Sequence, residues 1–121
     1  MRNYKNLGVW QRADDLTVRI YQITKQFPAA EIYGITSQLR RAAYSVPANI
    51  AEGSGRESNS DYLRFLSIAR GSLAETEYFL HLTRRLGFIS ESDWDQLTAA
   101  VNQTFAALNG LMKTVRKSLK D

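Results

Sequence analysis

The sequence predicts an all-α protein, an antiparallel up-down-up-down four-helix bundle, and three observations carry that prediction. Apolar residues recur three or four positions apart in four successive segments, which is the helical rather than the strand period. Proline, glycine and serine-rich stretches separate the segments by connections so short that each helix must fold back on its neighbour. The 121 residues, 44% of them hydrophobic, are the size of one domain with one core.

The first helix is expected over about residues 8–26, where Leu7, Trp10, Ala13, Leu16, Ile20, Ile23 and Phe27 keep the period and Pro28 stops it. The second, about residues 36–52, carries Ile35, Leu39, Ala42 or Ala43, Val46 and Ile50, and ends at Gly53 in Gly53-Ser54-Gly55. Pro47 lies inside it and predicts a kink near Tyr44 to Pro47, with a break as the alternative. Ser58-Asn59-Ser60-Asp61 caps a third helix of about residues 60–86, with Leu63, Leu66, Ala69, Leu73 and Leu80 in step and Gly87 as the stop. Ser90-Glu91-Ser92-Asp93 caps the fourth, about residues 91–119, whose seam runs Trp94, Leu97, Val101, Phe105, Leu108, Met112, Val115 and Leu119. Helix three carries a second apolar stripe, Phe65, Ile68, Phe79, Leu82 and Leu86. One bundle core needs one such face, so the extra stripe predicts a homo-oligomer.

Composition removes many chemistries. There is no cysteine and a single histidine, His81, so disulfides, thiolate nucleophiles and histidine-rich metal sites lack their parts within one subunit. No residue is assigned a catalytic or metal-ligating role, no cofactor is implied, and the expectation is a protein that is not an enzyme. The opening MRNYKNLGVW has no run of roughly 7 to 15 apolar residues typical of a signal peptide. No segment approaches the roughly 18 apolar residues needed to span a bilayer. A cytoplasmic protein without a membrane partner is expected.

Helix two bears an unusual polar stripe, Gln38, Arg41, Ser45, Asn49 and Glu52, all three or four apart. Its natural partners are Arg70, Gly71, Ser72 and Glu75 in the middle of helix three. The stripe could line a site, with Glu52 and Glu75 as acid and base. It is read first as architecture: Gln38, Arg41, Ser45, Asn49, Glu52, Ser72 and Glu75 as a buried hydrogen-bonded network that fixes register or a subunit contact. Gly71 is expected to permit a close helix-to-helix approach.

Sixteen lysines and arginines against twelve acids leave a net charge of +4, and an antiparallel bundle places that excess at one pole. Arg2, Lys5, Arg56, Arg64, Lys113, Arg116, Lys117 and Lys120 gather there against Glu52, Glu57, Asp61 and Asp121. Lys113, Arg116, Lys117 and Lys120 share one face at a helix C-terminus, where they complement the macrodipole and aid solubility. Together with Arg56 and Arg64 they also form a candidate surface for RNA or DNA phosphates, independent of sequence and sensitive to salt. Tyr4, Trp10 and Tyr62 lie near the pole as candidates for base stacking.

Phe27-Pro28, Glu31-Ile32-Tyr33-Gly34-Ile35-Thr36, Gln38-Leu39-Arg40-Arg41-Ala42, Ser45-Val46-Pro47-Ala48-Asn49-Ile50-Ala51-Glu52-Gly53 and Gly71-Ser72-Leu73-Ala74-Glu75 together resemble the four-helix bundle proteins encoded in intervening sequences of 23S ribosomal RNA genes. The resemblance covers nearly the whole chain, and the same family includes the accessory variability determinant of diversity-generating retroelements. It implies a homopentamer with a basic surface that, in the retroelement relatives, engages nucleic acid and a reverse transcriptase. From the residues themselves the alternative stays open: a protein-interaction scaffold with no nucleic-acid role.

Overall fold

The computed structural model describes residues 2–120, the Lys120 side chain excepted. The side chain of Lys120, a predicted site residue, and the whole of Asp121, both counted at the basic pole above, therefore lie outside what is described. Among the described residues every regular element is helical. Short 3-10 turns at Tyr4–Asn6 and Ala29–Glu31 precede the first two of four helices: α1 (Gly8–Thr24), α2 (Ile35–Ser54), α3 (Asn59–Arg85) and α4 (Glu91–Lys120). None of these helices is long and apolar enough to cross a membrane.

The helices form a ring. Each packs on its neighbours in sequence, α1 and α4 close the circle, and among the described residues no Cα atoms of diagonally opposed helices come within 8 Å. Leu16 and Ile20 of α1, Leu39, Val46 and Ile50 of α2, Leu66, Leu73 and Leu80 of α3, and Leu97, Val101, Leu108 and Met112 of α4 are fully buried between them. Each such side chain contributes roughly 1.5–3 kcal/mol relative to exposure. Four buried threonines, Thr24, Thr76, Thr83 and Thr104, turn their hydroxyls onto carbonyls of their own helix. Thr36 does not; among the described residues its hydroxyl is the one buried side-chain polar atom without a partner.

Helix ends follow local chemistry. Ser58 Oγ accepts the Asp61 N–H at 3.0 Å, and Ser90 Oγ accepts the Asp93 N–H at 3.1 Å. Gly87, at φ +77°, ends α3 with the Phe88 N–H on the Thr83 carbonyl and its own N–H on Arg84. That is the left-handed stop expected of glycine.

One alternative and one expectation for α2 are not realised. The helix runs unbroken through Pro47, which is buried, and the alternative of a split helix is not realised. Proline supplies no N–H, so the carbonyl of Ala43 loses its helical donor. Thr17 Oγ1 of α1 stands 3.1 Å from that oxygen, and 2.8 Å from its own Ala13 carbonyl, so one hydroxyl serves both. Nor does Gly53 stop the helix, which continues to Ser54. Gly53 is instead the point of closest approach to α3: a Cβ there would stand 2.7 Å from Phe65 Cβ and 3.1 Å from the Tyr62 ring. Gly71, expected to have that role, faces open space.

Candidate nucleic-acid interface

Arg2, the end of α2, the start of α3 and the end of α4 meet at one end of the bundle. Arg2 crosses the α2–α3 junction, donating to the Arg56 carbonyl at 2.6 Å and to Asn59 Oδ1. Its guanidinium lies 4.3 Å above the Tyr62 ring. Asn59 Nδ2 in turn donates to Ser118 Oγ at 2.8 Å, which ties in α4. Arg2, Ser54, Gly55, Arg56 and Glu57 line an open cleft of about 650 Å³ beside this strap. Burial pushes the Tyr62 phenol above its ordinary value of 10.0, and the Arg2 charge partly offsets that.

The charges at this end separate into two surfaces. Arg56 lies 2.9 Å from Glu52 and 3.6 Å from Asp61, and Arg64 lies 2.9 Å from the same Asp61. Both guanidinium groups rest over the Phe65 ring, at 4.7 and 4.4 Å. Two cations therefore meet two carboxylates in a locally neutral cluster. Exposed pairs of this kind contribute at most about 1 kcal/mol each, but they cancel the potential a phosphate would feel. Arg56 and Arg64 are thus placed where expected but already partnered.

The other surface is the last two turns of α4. Lys113, Arg116 and Lys117 are exposed, and none forms an ion pair among the described residues. Among the described residues the positive charge here has no carboxylate partner, and the C-terminal end of the helix dipole stabilises it. The expected stacking aromatics are less available. Tyr62 is buried, while Tyr4 and Trp10, half-buried, pack edge to face at 5.1 Å.

The polar stripe of α2 departs further from its sequence-based reading. It is on the surface. Ser45 Oγ donates to the Arg41 carbonyl at 2.7 Å and Asn49 Nδ2 to the Ser45 carbonyl at 2.8 Å, so both satisfy themselves on their own helix. Gln38 Oε1 accepts from Arg41 at 3.4 Å, and Ser72 offers its carbonyl to Thr76. Among the described residues, only Arg41 to Glu75, at 3.5 Å with side chains 51% and 46% exposed, links this stripe to α3. Glu52, which bonds Arg56, lies eleven residues beyond Arg41 along α2, roughly 16 Å at the helical rise. The two carboxylates considered as an acid and base pair are therefore not brought together. Within the single chain the stripe is a solvated face with its own internal bonds.

Beside that face lies an apolar surface of which only part was visible in the sequence. Of the second stripe on helix three, Phe65 is buried within the chain, Phe79 and Leu82 are half-buried, and Ile68 and Leu86 remain exposed. Tyr44 of α2 and Tyr78 of α3, 55% exposed, are also on the outside of these two helices, as is the bare Cα of Gly71. Along α3 Ile68, Gly71, Tyr78 and Leu82 share one face, with the charged Glu75 between them, and counting Tyr78 as apolar would have revealed that part of it. His81, also exposed, lies beside Tyr78 with ring centroids 6.2 Å apart.

Comparison with known proteins adds a family and a fold. A family model described as 23S rRNA-intervening sequence protein matches residues 5–110. The crystal structure of a protein of unknown function from the S23 ribosomal protein family of Bacteroides thetaiotaomicron aligns with a TM-score of 0.80. The two are 25% identical over 87% of this chain and 95% of that one. No curated protein matches the chain.

Proposed function

The chain belongs to the 23S rRNA-intervening sequence protein family, and within it we propose a non-enzymatic, self-associating bundle that holds nucleic-acid phosphates on the α4 face of Lys113, Arg116 and Lys117. The observation that carries this reading is the contrast at the pole: Arg56 and Arg64 are partnered by carboxylates, whereas the three α4 cations are exposed without one among the described residues. An antiparallel up-down-up-down course supports it. Along α3 and α4, Asn59 meets Ser118, Arg70 meets Asn109 and Arg84 meets Glu91, in opposite senses. Self-association multiplies the patch, and five copies, the number implied by the family resemblance, would give a ring of positive faces. The uncovered surface of Tyr44, Ile68, Gly71 and Tyr78 supports a contact between copies.

The test is RNA and DNA binding as a function of salt, with oligomeric mass measured on the same sample and Lys113, Arg116 and Lys117 changed together to glutamine. Affinity that falls steeply with salt and is lost in the variant supports the proposal. A stable oligomer with no affinity at low salt refutes it and leaves the protein-interaction scaffold, which the same apolar surface favours.

A further inference from the structure

At the other end of α2 from the basic pole, the chain builds a second recess with its own chemistry. After α1, the Phe27 N–H returns to the Thr24 carbonyl, Pro28 turns the chain and Ala29–Glu31 forms a single 3-10 turn before α2 starts. Phe27 is buried against Phe88, with ring centroids 5.7 Å apart, and so fixes the turn to the core. The result is a cleft of about 430 Å³ with Phe27, Pro28, Ala29 and Ile32 as an apolar wall. That size falls within the roughly 300–1,000 Å³ of small-molecule sites.

Besides Thr24, three polar residues line this cleft. Lys25 and Arg40 line the cleft, and neither forms an ion pair among the described residues. Arg40 is held in place from behind, its Nε donating to Thr24 Oγ1 at 2.8 Å and its guanidinium lying 4.6 Å over the Tyr21 ring. The third group is Thr36, which lines the cleft, is 1% exposed and has a hydroxyl with no partner. The other buried threonines, Thr24, Thr76, Thr83 and Thr104, each bond a carbonyl of their own helix, so Thr36 stands apart. The neighbouring carboxylate, Glu31, is turned to the Ile35 N–H at 3.4 Å. Thr36 lies in the first turn of α2, where the helix dipole also favours negative charge.

We infer that this cleft is a binding site for a small organic carboxylate with an apolar body. The carboxylate meets Arg40, Lys25 and the Thr36 hydroxyl, while the apolar body covers Phe27, Pro28, Ala29 and Ile32. A bare inorganic anion leaves that wall wet, and a neutral apolar molecule leaves the cations and the hydroxyl unmatched.

The experiment is a titration of the full chain, labelled at isoleucine and threonine methyls, with hexanoate, hexanol and inorganic phosphate. Saturable shifts at Ile32 and Thr36 are expected with hexanoate, with hexanol and phosphate at least about tenfold weaker. Arg40→Gln should weaken hexanoate about tenfold. Thr36→Val, which keeps the side-chain shape and removes only the unpaired hydroxyl, should weaken it similarly with no loss of thermal stability. Non-saturable shifts, equal binding of hexanol or phosphate, or undiminished affinity in a folded Thr36→Val protein would overturn the assignment.

Discussion

The Thr17 hydroxyl of α1 stands 3.1 Å from the carbonyl oxygen of Ala43, the acceptor that Pro47 deprives of its helical donor. A substitution that keeps shape but removes the hydroxyl, Thr17→Val, should cost about 1 kcal/mol, the usual net value of one hydrogen bond. In a Pro47→Ala background, where the restored backbone N–H at that position supplies the Ala43 carbonyl, the loss should shrink. A double-mutant cycle read by urea unfolding measures the coupling, and simple additivity would show that the contact carries no energy.

Gly53, which makes the close approach, and Gly71, which does not, give opposite expectations. Gly53→Ala forces a Cβ into Phe65, and should destabilise the fold by about 1–3 kcal/mol, as overpacking does. Gly71→Ala meets nothing within 4 Å, and should stabilise the isolated chain by up to about 1 kcal/mol through helix propensity. If copies of the chain meet at that surface, the same Gly71→Ala change should lower the oligomeric mass seen by light scattering while thermal unfolding of the subunit rises.

Tyr62 makes stability fall in alkali. Its folded-state pKa is raised above 10.0, so the folded protein keeps a proton that the unfolded chain releases. The contribution is fully present below pH about 10 and is lost as pH rises through the folded value. Urea midpoints measured across that range should decline, and Tyr62→Phe should flatten the part of the decline owed to this phenol.

At the basic pole the salt slope of nucleic-acid binding separates the two surfaces. Each phosphate contact removed lowers the slope by roughly 0.7–0.9. Glutamine at Lys113, Arg116 and Lys117 should therefore reduce it by about 2 to 3, whereas Arg56→Gln with Arg64→Gln should change it by less than about 1. An equal effect of both sets would place the phosphates on the α2–α3 junction as well.

The fold was legible because its signals are local. Leu66, Leu73 and Leu80 repeat within one helix, and Ser58, Ser90 and Gly87 mark ends through bonds to residues three to five away. What escaped was decided across the chain. Gly53 looks like a terminator beside Ser54 and Gly55, and only Phe65, brought in by α3, makes it a contact glycine. Gly71 looked like a contact because sequence does not say which face a neighbour takes. The pairing of Arg56 with Glu52 and of Arg64 with Asp61 was readable from four- and three-residue spacing, but adding charges over a whole pole concealed it. Within one chain the polar stripe needs no burial, because Ser45 and Asn49 bond carbonyls four residues back on their own helix.

The ring of four helices also sets an order of events in time. Three of its seams join helices that follow one another along the chain, and the fourth, α1 with α4, is the sparsest and joins its two ends. Closing that last seam requires the longest loop of chain to be restrained, so it is expected to form late on folding and to open first in the native state. Amide protons facing the α1–α4 seam should exchange with solvent before those between α2 and α3, and the ends of the molecule breathe while its middle pair stays shut.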